Sequence, residues 1–184
     1  MGDYMNVIFL DFDGVLDTFH YNSYEDVEKR IAILADVCKE YDCKIVIEAA
    51  AKDAIDEDTM VTESKWVNFI FDLFEKYGIG CVGRTPNVKR KYSSSSYMPM
   101  WKEDEIRLYL FRHPEIEHYC VIDDDDLYPY NSDLNKVREH LVKTIDYSDN
   151  PEEEGLLEIY KDDIGKILKK ENKIRKMVLK KRIK

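Results

Sequence analysis

Four consecutive apolar residues, Val7-Ile8-Phe9-Leu10, lead directly into Asp11-Phe12-Asp13-Gly14-Val15-Leu16-Asp17. A short apolar run closed by a glycine turn reads as a buried strand. Ending such a strand in two carboxylates one residue apart is costly, because a buried carboxylate needs a cation or a metal beside it. Gly14 lets the backbone turn sharply next to both acids. The stretch therefore predicts the rim of an active site at the C-terminal end of a strand, where open α/β sheets hold their ligands.

The rest of the chain alternates strand and helix patterns. Residues 25–41 carry Val27, Ile31, Leu34, Ala35 and Cys38 at helical spacing. Residues 44–47 read as a second strand that ends at Glu48, and residues 53–58 as an exposed acidic stretch. Ser64 can cap a helix that holds Trp66, Val67, Phe69, Ile70, Leu73, Phe74 and Tyr77, and Gly78 can stop it. On this pattern Trp66 is a core residue. Residues 79–82 form a third strand, broken by residues 83–86.

Residues 87–100, with Lys89-Arg90-Lys91 and four serines at 93–96, read as a mobile surface loop. A helix over 102–112 stops at His113-Pro114, because the residue before a proline avoids helical backbone. A fourth strand over 119–122 runs into Asp123-Asp124-Asp125-Asp126, and 140–144 gives a fifth. After a linker with Pro151 and Gly155 comes one long basic helix. Strands alternating with helices predict an α/β fold, a parallel sheet with helices on both faces. The expected division is a catalytic domain over 1–160 and a basic helical extension over 161–184.

Two predicted strands now end in acid, at Asp11 with Asp13 and at Asp123 with Asp124. Parallel strands share one C-terminal edge, so these acids can converge. Converging carboxylates repel, and a hard divalent cation such as Mg²⁺ relieves that by taking oxygen ligands. An EF-hand is the rival for Asp11 to Gly14. It fails because an apolar strand precedes the acids and no ligand spacing continues to a bidentate Glu.

Composition bounds the function classes. No apolar stretch among the 184 residues is long enough to span a bilayer, which argues against a membrane protein. No basic segment followed by an apolar region opens the chain, which leads us to expect a cytoplasmic protein. Cys38, Cys43, Cys81 and Cys120 are scattered and read as buried reduced thiols. The net charge of −10 hides a basic tail: from Lys166 onward Glu171 is the only acid among ten lysines and arginines. Such a tail suits a nucleic-acid partner, or a helix docked on the acidic body.

The Asp11-to-Asp17 run resembles the first motif of the haloacid dehalogenase-like (HAD) superfamily, whose members are mostly Mg²⁺-dependent phosphatases with a three-layer Rossmann-like fold. The resemblance implies that Asp11 is the nucleophile, forming an aspartyl-phosphate. It implies that Asp13 is the general acid/base and lends its carbonyl to Mg²⁺. Asp123-Asp124 matches the family's acidic fourth motif. Lys102, at the start of the helix before that strand, fits its third and would bind phosphoryl oxygens. Lys89, Arg90 and Lys91 fit that role less well.

The order Lys44-Ile45-Val46-Ile47, Arg84-Thr85-Pro86, residues 102–106 and Val121-Ile122-Asp123-Asp124 also resembles a small-cap branch that includes phosphatase-like domains attached to RNA-repair proteins. His140-Leu141-Val142-Lys143-Thr144 and Gly155-Leu156 resemble its C-terminal end. The implied partner is a phosphorylated substrate, a small molecule or a nucleic-acid end, and a minimal cap leaves the site open to a large one.

One departure matters. The family's second motif is a phosphate-binding Ser or Thr at the end of the second strand, where this chain has Glu48-Ala49-Ala50-Ala51-Lys52. Losing one such donor costs on the order of a hundredfold in rate. A Glu48 facing the site would also repel phosphate. An impaired phosphate- or nucleic-acid-binding module is thus the alternative to an enzyme, with an interaction protein working through its basic helix as a further one. His20 and Tyr21 stand close enough to the first motif for His20 to touch substrate, whereas His113, His118 and His140 share no catalytic spacing. Tyr97 and Trp101 flank Lys102 and are candidates for the pocket mouth.

Overall fold

The computed structural model describes residues 4–87, 89–91, 97–99, 102–127, 137–170 and 172–182. Its centre is a five-stranded sheet of strands β1 (Met5–Leu10), β2 (Cys43–Ile47), β3 (Cys81–Arg84), β6 (Ile116–Asp123) and β7 (Leu141–Lys143). Their order is β3-β2-β1-β6-β7 and every pairing is parallel. β1 is central, which explains its unbroken apolar run, since a strand covered on both faces has no polar side.

The helices divide between the faces by strand parity. Ile8, Leu10, Ile45, Ile47, Cys120 and Ile122 pack with α1 (Tyr24–Tyr41), α2 (Lys65–Tyr77) and α4 (Lys161–Leu168). Val7, Phe9, Val46, Tyr119 and Val121 pack on the other face with α3 (Lys102–Arg112) and α5 (Lys173–Arg182). Burying each such side chain contributes about 1.5–3 kcal/mol. The result is the α/β three-layer architecture expected from the alternating pattern.

The helix ends follow local chemistry. Ser23 caps α1 by accepting from the Asp26 N–H at 3.2 Å, and Ser64 caps α2 by accepting from Val67. Gly78 ends α2 in left-handed backbone at φ 70°. The acidic stretch after β2 makes a 3₁₀ turn over Ala50–Ala54 and an isolated bridge between Ile55 and Thr62, which is all the cap there is at this position.

Several elements differ from expectation. β3 continues through Gly83 and Arg84, while Ile79 still belongs to the α2 cap, its N–H bonding Phe74. Gly83 does not break the strand; a Cβ there would lie 2.7 Å from the Tyr109 hydroxyl, so it marks a close approach. Residues 87–100 are not an irregular loop throughout: β4 (Lys89–Lys91) and β5 (Tyr97–Pro99) pair antiparallel. The four serines at 93–96 and Trp101 lie outside the described residues, as does the Tyr97 side chain.

The basic tail is two helices rather than one. Asn172 separates them, its Oδ1 accepting from the Arg175 N–H and its Nδ2 donating to the Ile116 carbonyl, both at 3.0 Å. Such a cap favours a new helix start over continuation. Ile164, Ile167 and Leu168 enter one core and Ile174 the other. Lys173 pairs with Glu139 at 2.8 Å, and the Arg175 guanidinium lies 4.4 Å over the Tyr4 ring.

Candidate active site

Asp11 leaves β1 at the C-terminal edge of the sheet, its N–H held by the Ile122 carbonyl at 3.0 Å. Asp123 ends the neighbouring β6, so the register of β1 against β6 sets the two carboxylates side by side. The backbone then doubles back through Gly14, whose φ of 70° suits glycine. A Cβ on Gly14 would also fall 2.4 Å from Cγ of Asp124, so the turn seats itself directly on the second acidic strand end. The Thr144 hydroxyl, just past β7, fixes the turn by donating to the Gly14 carbonyl at 2.8 Å.

Lys102, at the first turn of α3, bridges the two strand ends. Its Nζ donates to Asp11 Oδ2 and lies 3.1 and 3.0 Å from the two Asp123 oxygens. Carboxylate oxygens of Asp11, Asp123 and Asp124 all lie within 4.8 Å of one another. Burial pushes the Asp11 carboxyl up to about 7, Asp123 adds to this, and Lys102 opposes it. Burial raises Asp123 too, again opposed by Lys102. Burial works against the Lys102 charge, but Asp11 and Asp123 outweigh it and hold the ammonium above its ordinary range. One lysine among three carboxylates leaves an excess of negative charge, which fits a divalent cation with oxygen ligands.

The predicted residues are thus only partly gathered. Asp11, Lys102, Asp123 and Asp124 form one cluster. The Asp13 carboxylate is exposed, outside that set of oxygens, and faces a cleft shared with Asp17, Asn22, Ser23, Tyr24 and Trp66. His20 stands apart: its Nδ1 lies 2.6 Å from Glu154 Oε1, and its ring stacks on Tyr147. Trp66, read as core, is half-buried and lines the cleft beside Asp13.

Glu48 does not present its charge to the site. It is fully buried, accepting from Lys52 Nζ at 3.0 Å and from the Thr85 hydroxyl. Lys52 also donates to Thr85 at 3.0 Å and to Glu105, which lies one turn along α3 from Lys102. Burial pushes the Glu48 carboxyl up to about 8 against the pull of Lys52. The sequence pattern missed this corner. The signals it held were Lys52 four residues after Glu48 and Glu105 three residues after Lys102, a spacing that places the latter two on one helix face.

Asp17 was also missed as a separate feature, although it closes the first acidic run. Burial, then the Asp13 charge, raises its carboxyl to about 6. One of its oxygens, Oδ1, is buried without a hydrogen-bond partner among the described residues.

Residues 7–148 match the family model of the HAD domain in Swiss Army Knife RNA repair proteins. No curated protein matches the chain, and no solved structure does. With the family model spanning more than half of the sequence and the five-stranded parallel sheet in place, the chain belongs to the HAD domain family of Swiss Army Knife RNA repair proteins.

Proposed function

We propose that this chain is a Mg²⁺-dependent phosphomonoester hydrolase acting through an aspartyl-phosphate on Asp11. The observation that carries the reading is Lys102 bridging Asp11 and Asp123 at the sheet edge, with Asp124 in reach. Asp11, Asp123 and Asp124 would hold Mg²⁺ with the Asp13 carbonyl, and the ion supplies charge neutralisation for phosphoryl oxygens.

An Asp11 oxygen attacks phosphorus and the bond to the leaving oxygen breaks. Asp13 gives that oxygen its proton. Asp13 then takes a proton from water, whose oxygen attacks phosphorus, breaking the bond to Asp11 and freeing phosphate. Lys102 favours the charged form of Asp11 against burial and compensates the phosphoryl oxygens. The family's name favours phosphate on nucleic-acid ends, and the basic tail, docked at the start of β6 rather than beside the site, suits a polyanion by its charge alone. Four cysteines without a disulfide support a cytoplasmic setting.

The test is Mg²⁺-dependent phosphate release from an aryl phosphate and from phosphorylated oligonucleotides, in wild type and Asp11→Asn. Absence of Asp11-dependent release from every substrate sinks the hydrolase reading. A second reading, a binding module with weakened catalysis, is favoured by Glu48 standing where a phosphate-binding hydroxyl was expected. It predicts binding of phosphorylated oligonucleotides without turnover.

A further inference from the structure

The acid that protonates the leaving oxygen must stand where the leaving group lies, so the cleft at Asp13 is where a substrate's remainder would sit. That cleft has a volume of about 630 Å³, within the roughly 300–1,000 Å³ of small-molecule sites. Its walls differ in kind. One is aromatic: Tyr24 is 63% exposed, and Trp66 is half-buried. Phe69 braces both, its ring centroid 4.4 Å from Tyr24 and 5.8 Å from Trp66. The other wall is acidic, made by Asp13 and by Asp17, whose Oδ1 is buried without a donor among the described residues.

No lysine or arginine is among the described residues that line the cleft. A second phosphate would therefore be repelled there. A flat group that stacks on aromatic rings and donates N–H bonds to a carboxylate meets every feature of the lining. We propose that this cleft is the leaving-group site, and that Tyr24, Trp66 and Asp17 select a nucleoside whose base carries an exocyclic amine. The proposal rests on the hydrolase reading for its orientation, since Asp13 as general acid is what makes the cleft a leaving-group site.

Cytidine and uridine test it directly, because they match in size and differ in an amine against a carbonyl. The chain has two tryptophans, so a Trp101→Phe background leaves Trp66 as the sole indole reporter. Cytidine should quench Trp66 fluorescence with roughly tenfold higher affinity than uridine. Tyr24→Ala should weaken cytidine binding about tenfold, the scale of one lost base–aromatic stack. Asp17→Asn should bring cytidine and uridine level. In turnover, the ratio of kcat/KM for cytidine monophosphate to that for glycerol phosphate should fall about tenfold in Tyr24→Ala.

Tyr24 is exposed, so its removal leaves the fold standing, and Trp66→Phe provides a second, conservative variant for the turnover ratio. Equal binding of the two nucleosides, or an unchanged ratio in Tyr24→Ala, overturns the proposal. Tighter binding of phosphocholine or phosphoethanolamine than of cytidine monophosphate also overturns it, since the cleft would then be a cation site. Cytidine binding without hydrolysis of any phosphomonoester sinks the hydrolase reading and leaves the base preference standing.

Discussion

Two lysines at the C-terminal edge of the sheet each stand between two buried acids, yet they do different work. Lys102 contacts Asp11 and Asp123 with 28% of its side chain exposed, and Asp125 lies 3.7 Å away. Lys52 contacts Glu48 and Glu105 with 8% exposed, and the Thr85 hydroxyl completes its shell. Around Lys52 both Glu48 oxygens are taken. Around Lys102 a third carboxylate, Asp124, stands in reach of the pair, and solvent reaches the ammonium. The first cluster carries unbalanced negative charge that suits a divalent cation, and the second is closed on itself. One helix face serves both, so the closed cluster fixes the end of α3 from which Lys102 reaches the site.

The largest expected effect breaks the closed cluster. Removing one partner of a buried pair strands the other charge at a cost of about 3–5 kcal/mol. Lys52→Met should therefore lower urea-unfolding stability by about that much, and a loss under about 1 kcal/mol would show that the corner is not holding α3. Lys102→Met should divide the effect the other way. Phosphate release should fall on the order of 10²–10³-fold, as on removing one oxyanion donor, while stability drops by less than about 2 kcal/mol because Lys102 is itself 28% exposed and water can take the place of its ammonium. A large stability loss with near-normal turnover would reverse the two roles.

The open cluster was far more legible in the sequence than the closed one. Val7 to Asp17 shows an apolar strand and its acidic end in one local stretch, and the acid run after Ile122 repeats the device. The closed corner is assembled from the ends of β2 and β3 and the first turns of α3, which no local pattern joins. Glu48 therefore read as a threat to phosphate, when Lys52 and the Thr85 hydroxyl take up both its oxygens and Glu105 shares that lysine. Local charge misled in the tail too. Its lysines suggested one long solvated helix, but Asn172 divides it and Ile164, Leu168 and Ile174 dock it. Helical periodicity placed Trp66 in the core; it packs against that core but stays half-buried, since spacing gives a face and not how deeply that face is covered.

A third, smaller effect is a pH dependence. The folded Glu48 carboxyl titrates near 8 against an ordinary 4.5. The folded state therefore holds a proton that the unfolded chain has released. This contribution to stability is full below about pH 4.5 and is lost as pH rises through about 8. Asp11 and Asp17, raised to about 7 and about 6, add to the same slope. Glu48→Gln keeps an acceptor for Lys52 and cannot ionise. It should flatten the fall in stability between pH 5 and 8.5 by on the order of 4 kcal/mol. A slope equal to wild type would place the proton elsewhere, on Asp11 or Asp17.

The smallest expected effect locates the outer edge of the open cluster. Asp125 is the acid nearest Lys102 that neither ends a strand nor joins the Asp11, Asp123 and Asp124 oxygens, and its side chain is 72% exposed. Its backbone N–H, donating to Asp123 Oδ1 at 2.9 Å, helps Lys102 order Asp123, and Asn would retain it. An exposed ion pair at this separation contributes about 0–1 kcal/mol and weakens with salt. Asp125→Asn should accordingly change stability by less than about 0.5 kcal/mol and phosphate release by less than about threefold, with any change shrinking further in 0.5 M salt. A tenfold loss of release that survives high salt would move Asp125 inside the site, and the open cluster would then count four carboxylates against Lys102.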